Sequence, residues 1–401
     1  MVFEMKKILI VTQNFYPAIG SAGNRMKNIY QLLKSQGYDV NVLTILPSYP
    51  NDKLYSDRTF WDDNTLNEEN KDITRLKLWS TKLGTNKFSR LIYYTEMMTK
   101  YFIYLIKNKK YDYYYVSSPP ILIVLSTIIS NFLKKGKLIL EIRDLWPDSL
   151  IGVKVFDSKW IIALLRRFER YMYNSADGLV INSPGFLNHI SSKLVQPKEI
   201  IYVPNGARAY ETQNLTHQSS ELFSVVYTGN LGLAQDISAI KIIASRLNDL
   251  EIDFYVIGYG VKCSEFKNYV ENHNLHNVKF INPTTRKNSM SILKESSVAL
   301  AFLSQSEVFE SVLPGKILDY MTAGLPIVAS VEGEAAQLIC EAEAGFSIKY
   351  ADTEQIISKI VLLKNDEKMR QQFSVNGKKF IEKHFQWEDN INRIADLLER
   401  V

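Results

Sequence analysis

Short β-branched and apolar runs alternate with amphipathic windows of helical period along nearly the whole chain, and a polar stretch breaks the alternation once. In the first half, Lys7–Thr12, Asp39–Leu46, Ile73–Trp79, Asp112–Val116, Lys137–Ile142 and Asp177–Asn182 read as strands. After Pro204–Glu221 the pattern restarts with Leu222–Thr228, Glu251–Gly258, Asn277–Asn282, Ser297–Leu303, Pro326–Ser330 and Gly345–Lys349. Strands separated by helices cannot pair as tight hairpins, so each set predicts a parallel sheet covered by helices, an α/β class of fold. At 401 residues the chain exceeds what one core usually serves, so two Rossmann-like domains are expected. Asn205-Gly206 is a turn signal, and Arg208–Ser220 is poor in large apolar residues, which places the linker there. The helix-rich tail from Thr353 ends in an amphipathic segment beginning at Phe385, free to pack on either domain.

Composition removes several function classes. The 46% hydrophobic content suits packed cores, and 48 basic against 43 acidic residues give a net charge of +5, too mild to imply a nucleic-acid partner. Cys263 and Cys340 have neither disulfide-framework nor metal-site spacing, which fits a reducing cytoplasm. The first strand begins at Lys7, leaving no room for a signal peptide. The apolar run Pro119–Leu133 is too short for a membrane span and is expected to be a crossover helix. The window Phe88–Leu105 is unusual. Phe88, Leu91, Ile92, Met98, Phe102 and Leu105 form an apolar stripe, while Tyr93, Tyr94, Met97, Tyr101 and Tyr104 cover much of the rest. With Lys100, Lys107, Lys109, Lys110, Lys134, Lys135 and Lys137 close by in sequence, this window reads either as core packing or as a basic, aromatic surface for the cytoplasmic membrane face.

Functional residue types concentrate in Glu310-Ser-Val-Leu-Pro314-Gly315-Lys316-Ile-Leu-Asp319 and onward through Gly324 to Ser330, a turn, a short helix and a buried strand. A helix start presents unpaired N–H groups and a positive dipole end of about half a charge, so an anion belongs in front of it. Lys316 adds a full charge there, and Asp319, one turn on, offers acceptors for hydroxyls. That combination describes a diphosphate with sugar hydroxyls attached. Three further segments follow strands at their carboxyl ends, where ligands of open α/β sheets bind. They are the loop Asn14 to Arg25 with Gly20, Ser21, Gly23 and Asn24; the string Glu141-Ile-Arg143-Asp144-Leu-Trp146-Pro147-Asp148; and Tyr227-Thr-Gly229-Asn230-Leu-Gly232, with Gly258 at a neighbouring strand end.

In combination these strings resemble the retaining glycosyltransferases of family GT4, and within them capsule and O-antigen enzymes that transfer N-acetylfucosamine-type sugars. The resemblance covers essentially the whole chain and implies the GT-B architecture. Residues 1–203, joined by a C-terminal helix over 385–401 that crosses back, would bind the acceptor; residues 204–384 would bind a nucleotide-sugar donor, with a cleft between. By the same resemblance Arg143, Asp144, Lys316 and Glu310 are catalytic. Gly229, Asn230, Gly232, Gly258, Pro314, Gly315, Lys316 and Asp319 hold the donor, and Gly20, Ser21, Gly23, Asn24 and Arg25 form an acceptor or phosphate loop. Asp319 falls where the family's ribose-binding glutamate stands, Ser311 where its first glutamate is expected, and Asn230 where many members carry an arginine. The implied donor is a UDP-sugar and the acceptor a lipid-diphosphate-linked saccharide, with no metal or other cofactor. Two other readings stay open: a UDP-sugar 2-epimerase of the same architecture, and a non-catalytic nucleotide-sugar-binding subunit of a polysaccharide assembly complex.

Overall fold

The computed structural model describes residues 5–80, 87–153, 158–212, 222–349 and 352–401. They form two compact units, the first from Met1–Ile151, Phe156–Pro204 and Glu388–Val401, the second essentially Asn205–Trp387. The first holds a seven-stranded sheet of β1 (Lys7–Val11), β2 (Asp39–Ile45), β3 (Ile73–Leu76), β4 (Tyr113–Ser118), β5 (Lys137–Ile142), β6 (Gly178–Ile181) and β7 (Glu199–Tyr202), in the order β3-β2-β1-β4-β5-β6-β7. The second holds β8 (Ser224–Asn230), β9 (Asp253–Tyr259), β10 (Val278–Ile281), β11 (Val298–Phe302), β12 (Ile327–Ser330) and β13 (Gly345–Ile348), in the order β10-β9-β8-β11-β12-β13. Every pairing between these strands is parallel. In both sheets the order reverses beside the first strand, and that switch point is where the carboxyl ends leave room for a ligand.

The twelve strands read from the sequence are all present within a few residues. The one that was missed, β7, is a short edge strand of exposed and half-buried residues, without the fully apolar signature of its neighbours. The linker expectation needs correcting. Residues 213–221 lie outside the described chain, but the part before them is structured in the second unit: Ala207 N donates to Phe385 O at 2.9 Å and Ala207 O accepts from Trp387 N at 3.0 Å. The two units divide at Pro204, before Arg208 is reached.

The tail helix Trp387–Arg400 explains its own amphipathicity. Ile391, Ile394, Leu397 and Leu398 are buried in the first unit, where Leu397 packs over Gly178 of β6 and Leu398 O accepts from Tyr113 of β4 at 2.6 Å. Arg393 donates to Tyr202 O of β7 at 3.0 Å and Gln36 to Asn392 at 2.7 Å, so the helix is tied along its length.

The aromatic helix Lys87–Lys107 turns the opposite way from the membrane-facing expectation. Its tyrosine side is the packed one: Tyr93, Met97, Tyr101 and Leu105 are buried, while Phe88 is 66% and Leu91 60% exposed. Buried hydroxyls need partners, and they have them: Tyr101 donates to Thr12 O at 2.8 Å and Tyr93 accepts from Gln13 at 3.3 Å, while the half-buried Tyr104 pairs with Thr74 at 3.0 Å. Tyrosine hydroxyls on this side thus satisfy polar groups just past the carboxyl end of β1 and the Thr74 hydroxyl of β3. Pro119–Leu133 is the expected crossover helix, Ile121–Lys134, and among the described residues no helix is long and apolar enough to cross a membrane.

Candidate active site

The second unit's site is built on β8 and the helix Gly315–Ala323. Pro314 precedes the helix with its φ already fixed near −67°, suited to an N-terminus, and Gly324 ends it in the left-handed region at φ +74°. Tyr320 anchors the helix to the sheet: its hydroxyl accepts from Thr228 N of β8 and donates to Leu300 O of β11, both at 3.0 Å. The first turn is thereby held beside the switch point. There Gly229 of β8, at φ +108°, pairs in register with Gly258 of β9, and a Cβ on Gly229 would stand 3.6 Å from the Lys316 side chain. Glycine keeps that face bare for Lys316 and whatever approaches it.

Lys316 is the most unusual group in the unit. Its Nζ is buried and has no hydrogen-bond partner among the described residues; it lies 4.0 Å from the ring centroid of Tyr227. Burial pushes its pKa down to about 7, because nothing nearby repays the lost hydration. Three residues on, Asp319 is ion-paired with Arg286, which also binds Glu211 at 2.9 Å. The turn after β8 is self-supporting: Tyr227 donates to Asn230 O at 3.0 Å, and Gln235 accepts from Gly232 N at 2.9 Å. Asn230 is exposed at the strand end. Glu310, on the short helix Glu307–Glu310, has its carbonyl against Gly333, and the Ser311 hydroxyl turns back to Val308 O at 2.8 Å. Ser311 therefore closes its own turn.

In the first unit the glycine-rich loop is shorter than expected. Gly20, at φ +99°, is the last residue before the helix Ser21–Ser35, so Ser21, Gly23, Asn24 and Arg25 are helical. Gly23 is required by packing, since a Cβ there would come within 2.2 Å of Ala18 O. Arg25 is the clearest departure from the sequence reading. It is buried, and its Nε is 2.7 Å from Glu141 Oε1, so it binds the end of β5 instead of reaching a ligand. Tyr115 donates to Glu141 Oε1 at 2.7 Å and Ser117 to Oε2 at 2.8 Å. Burial opposes the charge of Glu141, but Arg25 and Arg143 outweigh it and hold the carboxyl below its ordinary pKa. Arg143 donates to Ser117 Oγ at 2.7 Å and Pro119 O at 3.2 Å. Asp144 accepts from Ser149 at 2.9 Å, and burial lifts its pKa to about 6, near the range useful for proton transfer.

The residues expected from the sequence include Lys316, Asp319, Arg143 and Asp144 but not Arg286 and Glu211, which the structure places beside Asp319. Neither belongs to a motif: Arg286 is 33 positions from Asp319, and Glu211 lay in the supposed linker. Only the packing of helices Arg286–Glu295 and Gly315–Ala323 brings them together.

Comparison with known proteins identifies the family and the fold. Residues 20–206 match the model described as a glycosyl transferase 4-like domain, and residues 218–380 the one described as glycosyl transferases group 1. The chain is 21% identical over 360 residues to WcaI of Escherichia coli strain K12, whose name makes it a glycosyl transferase of colanic acid biosynthesis, covering 85% of this chain and 88% of that protein. Among solved structures, sucrose-phosphate synthase from Thermosynechococcus elongatus superposes with a TM-score of 0.71 at 14% identity, covering 98% of both chains. WaaG, a glycosyltransferase of lipopolysaccharide biosynthesis, gives 0.67 at 13%, covering 98% of this chain and 99% of its own. Anabaena HepE in complex with UDP and glucose gives 0.69 at 14%, covering 99% and 100%. These likenesses establish the fold, and the two matched models together span nearly the whole chain. This chain is a glycosyltransferase of the group 1, GT4-like family, with the GT-B fold.

Proposed function

We propose that the enzyme moves an N-acetylated deoxyhexosamine of the N-acetylfucosamine type from a UDP-sugar to a lipid-diphosphate-linked saccharide, with retention of anomeric configuration, in capsule or O-antigen synthesis. The observation that carries the donor half is Lys316, an ammonium held dry and without an acceptor beside the Gly229 turn and a helix start. A departing nucleoside diphosphate supplies the missing negative charge, and in a site poor in water that pairing is strongest. Asp319 is assigned to the ribose, and Gly229, Asn230, Gly232, Gly258, Pro314 and Gly315 to the backbone that approaches the diphosphate. Glu310 is assigned to the donor sugar. Arg143 and Asp144 are assigned to the acceptor hydroxyl, with Gly20, Ser21, Gly23 and Asn24 lining the same end of the first sheet. WcaI, named for colanic acid biosynthesis, and WaaG, named for lipopolysaccharide biosynthesis, support the pathway, and the UDP complexes of HepE support the choice of donor.

Incubation with UDP-sugars and a lipid-diphosphate sugar in the presence of EDTA tests the reading. Disaccharide-lipid formation is expected, undiminished by the chelator. Sugar isomerisation without acceptor would replace it by an epimerase, and donor binding without turnover by a binding subunit.

The lipid acceptor also calls for a membrane-facing surface at the cytoplasmic side. Helices of a parallel sheet run opposite to the strands, so the first turns of Lys87–Lys107 and Lys159–Ser175 lie at the sheet's carboxyl end, as does the segment after β3. Exposed there are Trp79, Phe88, Leu91, Ile92, Trp160 and Leu164, with Arg90 and Lys159 among them. Aromatic and apolar residues interleaved with cations suit the headgroup region. Much of the lysine cluster noted in the sequence is engaged within the protein instead, with Lys100 on Glu96, Lys109 on Asp39 and Lys137 on Asp177. Flotation with vesicles containing anionic lipid should fall by more than about tenfold in Leu91→Glu/Trp160→Glu, since each inserted side chain contributes roughly 1.5–3 kcal/mol. Equal flotation of variant and wild type would remove this face from membrane binding.

A further inference from the structure

Asp319 is the residue assigned to the ribose, yet its carboxylate is already bound to Arg286. The guanidinium bridges two carboxylates, Asp319 through Nη1 and Glu211 through Nε, and Glu211 is fixed in turn by Arg208 N, which donates to its Oε2 at 2.9 Å. Burial alone would lower the pKa of Arg286, but Asp319 and Glu211 more than reverse that, so it stays charged. Its third nitrogen is different. Nη2 is buried and has no hydrogen-bond partner among the described residues, although it lies in the same rigid plane as the two that are bound. A buried donor left without an acceptor opposes folding, and a bound acceptor would recover that cost.

We propose that Arg286 is a second ligand of the nucleotide ribose, its Nη2 donating to the hydroxyl pair from which Asp319 accepts. This rests on the donor reading given above and adds a residue to it. The chemistry selects a hydroxyl over a phosphate: Asp319 would repel an anion at that point, whereas a hydroxyl both gives and takes a hydrogen bond and so satisfies Asp319 and Arg286 together. Arg286 has a second effect. It offsets a carboxylate placed one helical turn from Lys316, where an uncompensated negative charge would oppose the diphosphate.

Isothermal titration of the full-length protein with UDP, 2′-deoxy-UDP and 3′-deoxy-UDP tests this. Wild type should prefer UDP to at least one deoxy analogue by about 10- to 150-fold, the scale of one hydrogen bond made to a charged group. Arg286→Lys keeps the charge but loses the planar fork; Arg286→Met/Glu211→Gln removes both partners of one ion pair and leaves Asp319 in place. In each, the preference should shrink by at least about threefold while the share due to Asp319 remains, whereas a purely architectural Arg286 would weaken all three nucleotides alike and leave their ratio unchanged. A folded variant that keeps the wild-type ratio overturns the proposal, as does a wild type indifferent to both hydroxyls. A wild type that binds none of the three overturns the UDP-donor reading itself, a result distinct from either of those.

Discussion

Glu141→Ala is expected to lower the melting transition of the first unit by about 6–20 °C. The size follows from what it leaves behind. Glu141 is fully buried at the end of β5 and receives Arg25, Tyr115 and Ser117, with Arg143 Nε 3.6 Å away. Removing one member of a buried pair strands the other in a poorly solvated site, at a cost of roughly 3–5 kcal/mol, and for a unit of this size each kcal/mol is worth about 2–4 °C. The pair itself need not be stabilising relative to apolar residues, so Arg25→Met/Glu141→Leu should be less damaged than Glu141→Leu alone. The pH dependence has a defined sign. Because the folded-state pKa of Glu141 is depressed, its contribution is present above the ordinary glutamate pKa and lost as pH falls through the folded value. Calorimetry checks all three statements. A transition within about 2 °C of wild type for Glu141→Ala would show that the network is not what holds the Ser21–Ser35 helix against β4 and β5.

That network also shows where sequence reading stopped. The alternation of strands and helices is a local signal, and it located both sheets and the tail helix because each element's apolar period is set by the face it buries. Lys316 and Asp319 were legible for a similar reason: a Pro-Gly turn before a short helix fixes where two nearby side chains stand. Arg25 was misjudged because sequence cannot say toward which side a charged residue at a helix start points. The deciding partner, Glu141, is 116 positions away. The tyrosines of Lys87–Lys107 were left open between core packing and a surface for a different reason. Hydropathy ranks Phe88 and Leu91 above Tyr93 and Tyr101, but the polar carboxyl end of β1 beneath the helix favours a side chain with a hydroxyl. Arg286 and Glu211 carried no local signal at all, since their meaning arises only when two helices and a turn pack together.

Lys316→Met should separate function from stability. In the free protein the ammonium is buried, lacks an acceptor among the described residues and lies over the face of Tyr227. Keeping a charge there opposes folding, so an apolar side chain of similar length should raise the melting temperature of the second unit. The same change removes the cation assigned to the diphosphate, and donor affinity or turnover should fall by about 1.5–3 kcal/mol, on the order of 10- to 150-fold. Proton linkage adds a second signature. With the Lys316 pKa at about 7 in the free protein, between there and the ordinary lysine value the unfolded chain holds a proton that the folded chain does not. Wild-type stability should therefore rise with pH across that window, a slope the variant lacks. Diphosphate binding favours the charged form, so wild-type affinity should fall above pH 7, by up to about tenfold per unit, while the variant stays flat over that range. Titration calorimetry with UDP at pH 6.5, 7.5 and 8.5, beside thermal melts, measures both effects. A folded Lys316→Met protein with wild-type affinity would remove Lys316 from the diphosphate site and leave its burial without a functional cause.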